Sequence, residues 1–169
     1  MFKRVTILEY ELGLYFRGGE FHGLLEAGRH WFFDPLGRVR VEVVSQRTPW
    51  LVHDKLDLIV KSGALKDRAR VVDLKDYERA LVWIDGRFRH ALPPGLYAYW
   101  TAFRDVKIDV VDARPVRFVH PVLPVITKSQ SIDKVLAVFT VAAGHVGVWF
   151  KDGASNPACA NVVVHAWRR

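Results

Sequence analysis

Shifted against itself by 67 positions, the chain matches itself: Tyr10 meets Tyr77, Glu11 meets Glu78, Leu14 meets Leu81, Gly19 meets Gly86, Phe21 meets Phe88, and Arg47 meets Arg114. Residues 5–62 align with residues 72–129 without a gap, with about 18 identities where chance gives about four. The same shift carries residues 80–86 onto 147–153, so a third copy begins on schedule. A repeat constrains the fold more than any single motif, because every copy takes the same local structure and neighbouring copies bury one another's apolar faces. The expected organisation is a first β unit over 1–66, a second over 67–134, and an incomplete third over 135–169 with a divergent tail.

Within a copy the signals are those of strands. In the second copy, Asp85-Gly86 separates two apolar-polar runs, and a two-residue Asp-Gly loop favours the type I′ turn of a β-hairpin. That register sets Trp83 opposite Phe88 and Leu81 opposite His90. In the first copy, around Gly18-Gly19, it sets Phe16 opposite Phe21, Leu14 opposite Gly23 and Leu12 opposite Leu25, a predicted core face. Pro94-Gly95 then reads as a type II turn, with Ala27-Gly28 as its counterpart. An aromatic strand follows, and then an alternating one in which Val39, Val41 and Val43 oppose Arg40 and Glu42. Each copy therefore reads as a short antiparallel meander.

Residues 53–70 and 120–134 lose the alternation and place Leu56, Ile59 and Val60 at helical spacing, while Gly63 and Pro124 limit any helix to a turn or two. The fold class expected is mainly β: tandem small antiparallel meander or barrel-like units joined by short helical connectors. After Gly153 the match fades, since Ser155 and Val162 stand where the other copies have Phe21/Phe88 and Gly28/Gly95. The expectation is a frame truncated or shifted there, leaving a hairpin strand unpaired and open to self-association.

The balance of 25 Lys+Arg against 18 Asp+Glu permits contact with nucleic acid or an anionic membrane. The charges are dispersed, however. Arg38, Arg40, Arg68, Arg70, Arg87, Arg89, Arg114 and Arg117 alternate with apolar residues as on solvated strand faces. The single Cys159 excludes an intramolecular disulfide and suits a reducing compartment. The N-terminus runs straight into strand-like sequence, with no apolar signal segment. The longest apolar run, 135–150, contains His145 and is shorter than the roughly 20 residues needed to span a membrane, and the repeat places it on two strands.

The residues Asp76, Tyr77, Glu78, Arg79 and Ala80, then Asp85-Gly86-Arg87, Pro94-Gly95 and Val110-Val111-Asp112-Ala113-Arg114 resemble the opening of the stomatin and prohibitin-like (SPFH) domain. The likeness is to the slipins of bacteria. The first copy keeps Tyr10-Glu11, Gly28 and Arg47, with Glu20 and Ser45 at two of the pattern's positions. The chain looks like an extended N-terminal repeat region of a slipin-like protein without the main SPFH domain. That resemblance implies a membrane-associated scaffold that oligomerises and organises a microdomain or a partner protease.

No Walker loop, dinucleotide glycine pattern, Gly-x-Ser-x-Gly, HExxH or cysteine pair occurs. The seven histidines (His22, His30, His53, His90, His120, His145, His165) show no metal-ligand spacing. His53 and His120 recur as residues closing a strand, and His90 reads as a satisfied core histidine. Glu11 and Glu78 recur without a companion acid, base or nucleophile. Trp31, Trp83, Trp100 and Trp149 fall on strands, where aromatics are usually core. No catalytic, cofactor-binding or metal-binding residue is assigned, no cofactor or small-molecule substrate is evident, and the chain is read as no enzyme.

The leading reading is a protein-interaction or scaffolding module, cytoplasmic or peripheral at the inner membrane, with protein partners or itself. The alternative is a small basic β module that binds nucleic acid or another polyanion through Arg87, Arg89 and Arg117 on one face.

Overall fold

In the computed structural model, residues 2–115, 118–129, 132, 135–139, 141–142, 144–151, 154–158 and 164–167 are described, with side chains as far as 148. The strands are β1 (Phe2–Ile7), β2 (Glu11–Arg17), β3 (Glu20–Leu25), β4 (Gly28–Phe33), β5 (Val39–Ser45), β6 (Trp50–Leu51), β7 (Ala69–Leu74), β8 (Glu78–Ile84), β9 (Arg87–Leu92), β10 (Gly95–Trp100) and β11 (Val106–Asp112). β12 (Leu136–Phe139), β13 (Gly147–Lys151), β14 (Ala154–Ala158) and β15 (Val164–Trp167) complete them, and two short helices, α1 (Leu56–Lys61) and α2 (Leu123–Thr127), form the connectors. The protein is mainly β, as the periodicity predicts. Among the described residues the sheets are small, antiparallel and open, with no closed barrel.

The turns follow from their residues. Gly18 and Gly19 (φ 60° and 89°) and Asp85 and Gly86 (φ 52° and 72°) all take positive φ, as a type I′ hairpin requires. Asp85 tolerates that conformation because its own carboxylate is held: Oδ1 accepts from the Asp105 amide (3.1 Å) and Oδ2 from Arg104 Nη1 (2.7 Å). Gly28 and Gly95 also need glycine, but at φ 142° and 146° they open β4 and β10 and do not sit in a type II turn. Gly63 (φ 76°) ends α1 just past its C-cap.

One hairpin register departs from the simple count. Phe16 does pair with Phe21, but Tyr15 pairs with Gly23, Leu14 with Leu24 and Gly13 with Leu25. His22 is an extra residue in β3, a bulge that Gly23 accommodates at φ 150°. It turns Leu24 onto the core beside Leu14.

Pairing also departs from a meander. β4 bonds to β1, and β2 is flanked by β3 and β5. The second copy repeats this, with β10 beside β7 and β8 between β9 and β11. Each copy thus divides into a ladder built from its first and fourth strands, to which β6 adds a third strand beside β10 in the second copy, and a separate sheet. The third copy does not stop at Gly153. β14 pairs with β13, and β15 pairs with β12. Leu136↔Trp167 is the pair Phe2↔Phe33 displaced by two repeats, 2 × 67 = 134 positions. The expected unpaired strand is therefore paired: β12–β15 keeps the register of β1–β4, and β13–β14 forms a hairpin without the bulge of β2–β3.

The chain forms two compact units, and neither coincides with a copy of the repeat. One comprises Met1–Asp73, Ile84–Gly86 and Gly95–Lys107; the other comprises Leu74–Trp83, Arg87–Pro94 and Ile108–Arg169. The core of the first joins Leu12, Leu14 and Phe16 of β2, Leu51 and Ile59 to Ala98 and Trp100 of β10, with Ala69 and Val71 of β7 at its edge. The core of the second joins Leu81 of β8, Ala91, Phe118, Ile126 and Ile132 to Leu136 of β12. Shifting by one repeat turns Leu14, Leu51, Ile59, Leu65 and Ala69 into Leu81, Phe118, Ile126, Ile132 and Leu136. Each core therefore consists of the sheet and connector of one copy and the ladder of the next.

This arrangement makes a prediction. Trp100→Ala removes a residue of the second copy, yet should cost the first unit about 3–5 kcal/mol. Native-state hydrogen exchange would then show amides of β2 losing protection together with those of β10. Loss confined to β8 and β9 would contradict the offset.

Candidate functional site

The residues that recur between copies outside the cores build a corner. In the first copy the Glu11 amide donates to Leu8 O (2.9 Å), while the Leu8 amide donates to Glu11 Oε2 (3.0 Å). In the second, the Glu78 amide donates to Lys75 O (2.8 Å) and the Lys75 amide to Glu78 Oε2 (3.0 Å). The carbonyls of Tyr10 and Tyr77 accept from the Gln46 and Ala113 amides, both at 2.8 Å, tying each turn to the end of β5 or β11. Arg47 lies over the Tyr10 ring at 5.6 Å and Arg114 over Tyr77 at 4.9 Å. Arg114 is further held by Asp112, whose Oδ2 accepts from Nη2 at 2.7 Å. That fork keeps the Asp112 carboxyl below its ordinary range and raises the guanidinium above its own. The third copy keeps the turn with His145, whose amide donates to Ala142 O (3.1 Å). Glu11 and Glu78 are thus turn-closing residues.

His53 and His120 recur for a related reason. Each ring stacks on the aromatic residue of its hairpin, Phe16 at 5.4 Å and Trp83 at 6.0 Å. Each Nδ1 accepts a backbone amide, from Lys55 (2.9 Å) and Val122 (3.3 Å). His53 is therefore protonated on Nε2, which donates to Glu42 Oε2 at 3.0 Å, while Arg40 bonds the other oxygen at 2.8 Å. These groups line a groove of about 530 Å³ with Gly18, Gly19 and Lys55, and Lys55 Nζ donates to Gly19 O (2.8 Å). Arg40 and His53 both bond the Glu42 carboxylate, and Lys55 bonds a backbone carbonyl. Among the described residues no group of three or more His, Cys, Asp or Glu is placed to hold a metal ion.

The surface that stands apart is the outer face of the β1–β4 ladder. Its inner face carries Val5, Ile7 and Phe32, with Phe32 stacked on Tyr15 at 5.2 Å and Ile7 seated where Gly13 has no side chain. The outer face presents Phe2, Trp31 and Phe33, which are 71%, 64% and 66% exposed. Phe2 and Phe33 are cross-strand partners with ring centroids 5.3 Å apart, and Arg4 lies 5.7 Å over Trp31. One repeat later, the equivalents of Trp31 and Phe33 are Ala98 and Trp100, 0% and 1% exposed. The strand reading of Trp31 as core is overturned: the residue has the right face, but among the described residues no sheet lies over it.

Compared with family models, curated proteins and solved structures, the chain has no match.

The remaining singled-out residues are dispersed. Trp83 packs edge-on against Phe88 at 5.3 Å, as Phe16 does against Phe21 at 5.4 Å. The side chain of Trp149, and Arg117 as a whole, lie outside the described residues. Arg38, Arg40, Arg70, Arg87, Arg89 and Arg114 are exposed, in keeping with solvated strand faces. The run 135–150 holds β12 and β13, and no helix among the described residues is long and apolar enough to cross a membrane.

His90 is half-buried, and desolvation, with Arg89 nearby, lowers its pKa from the ordinary 6.5. A folded-state value below the unfolded one means its stabilising share is present above 6.5 and is lost as pH falls through that range. The urea midpoint should fall between roughly pH 7.5 and 5.5, and fall less in His90→Gln. Parallel curves for the two proteins would show that His90 carries none of the effect.

Proposed function

We propose that the chain is a non-enzymatic protein-interaction and scaffolding module, part of a slipin-like, membrane-associated assembly. The observation that carries this reading is the open face of Phe2, Trp31 and Phe33, because its counterpart one repeat later is a buried protein interface. Aromatic residues exposed as a contiguous patch on a folded ladder mark a surface for association. The polar residues of the turns support the same reading from the other side. Glu11, Glu78, His53 and Asp112 each close a turn or anchor a neighbour.

The slipin-like part rests on Tyr77, Glu78, Asp112 and Arg114. These residues, which carry part of the resemblance, lie together in one corner of this chain, and that proximity supports the reading. A scaffold needs such rigid corners to present an interaction face.

Photo-crosslinking from position 31 in producing cells tests the reading. Protein adducts from position 31, and none from the exposed hairpin position Glu20, are the expected result. Absence of protein adducts from position 31 would remove the basis of the reading. Binding of the purified chain to nucleic acid that falls steeply with salt and requires Arg87 and Arg89 would favour the basic-module alternative instead.

A further inference from the structure

The chain packs a ladder on a sheet twice. In one unit Ala98 and Trp100 of β10 join Leu12 and Leu14 of β2. In the other, Leu136 of β12 joins Leu81 of β8. Two further faces are the separated halves of that same contact. One is the outer face of β1–β4, which holds the register of β12–β15. The other belongs to the β13–β14 hairpin, where Val146, just before β13, and Val148 are 67% and 57% exposed. By the repeat, Val146 and Val148 stand where the first copy has Leu12 and Leu14, and Val148 where the second has Leu81, all buried to within about a per cent of full burial.

We propose that the β1–β4 ladder of one copy docks on the β13–β14 hairpin of a second copy, head to tail, repeating between chains the packing found within each unit. The proposal rests on the reading of the chain as an interaction module and names its partner and its two surfaces. Three aromatic side chains about two-thirds exposed leave on the order of 400 Å² of apolar area, as large as the largest patch that monomers ordinarily show. A second copy is the fitting occupant because it offers the same strand position that receives the ladder inside the chain. The two surfaces differ, so the contact is heterologous. It propagates into a ring or a filament and does not stop at a two-fold dimer.

Light scattering on the full chain decides this. The unmodified protein should grow in mass with concentration beyond a dimer. Trp31→Lys disables the ladder face and Val148→Lys the hairpin face, so each variant alone should be monomeric. Mixed, they retain one competent face each and should form a one-to-one dimer that grows no further. Both positions are exposed, so the fold should survive, as circular dichroism would show. The pair Phe33→Lys and Val146→Lys repeats the test should either first variant misfold. A monomeric unmodified chain, variants that assemble as it does, or a mixture that stays monomeric would each overturn head-to-tail docking. Adducts from position 31 to a different protein, beside a monomeric purified chain, would leave the interaction reading standing and this proposal refuted.

Discussion

The contact on which the structure depends is the packing of one copy's first and fourth strands against the sheet of the copy before it. A two-stranded ribbon is marginal by itself, and a three-stranded sheet with one apolar face needs a cover. Trp100 and Ala98 supply that cover for Leu12 and Leu14, and Leu136 supplies it for Leu81. Because the cover comes from further along the chain, a single 67-residue copy cannot complete its own core. Stability is shared between neighbours, as in other repeat architectures, and the compact unit runs out of phase with the sequence repeat.

That phase offset sorts the recurrent residues by physical role. Leu14/Leu81 and Ile59/Ile126 recur because the two cores are the same core. Tyr10/Tyr77, Glu11/Glu78 and Arg47/Arg114 recur because the first ladder strand must turn sharply into the sheet, and a carboxylate, a carbonyl and a guanidinium over a ring hold that turn. The second group holds no core side chain, so its recurrence is owed to the turn and not to packing.

Much of the local structure was legible in the residues. Gly18-Gly19 and Asp85-Gly86 announce their hairpins, and Leu56, Ile59 and Val60 announce α1, because turn chemistry and periodicity are local. Strand partners were not legible. Alternation tells which side of a strand is apolar but not which strand lies beside it, so β4 could not be assigned to β1 in place of β3. The bulge at His22 was hidden for the same reason: one extra residue changes every pairing beyond it, and its only trace is a glycine two places past Phe21. The third copy was misjudged because residue identity was the measure. β15 keeps the register of β4 through backbone bonds that many sequences satisfy, whereas β14 pairs with β13 without the bulge of β3.

The surroundings of Trp31 show how the open face is partly shielded. An uncovered aromatic ladder is costly in water. Here the ladder is only partly polar. Thr6, Arg4 and Arg29 share the outer face with Phe2, Trp31 and Phe33, and the Arg4 guanidinium lies over the Trp31 ring. A cation–π contact at an exposed site contributes about 0.5–1 kcal/mol, enough to shield one ring but small beside the gain from burying it. The arginine stem is itself apolar and can lie along a docked surface while its charge remains in water. The Arg4 contact therefore offsets only part of the cost of the open face, and leaves Phe2 and Phe33 as the rings whose burial would gain most.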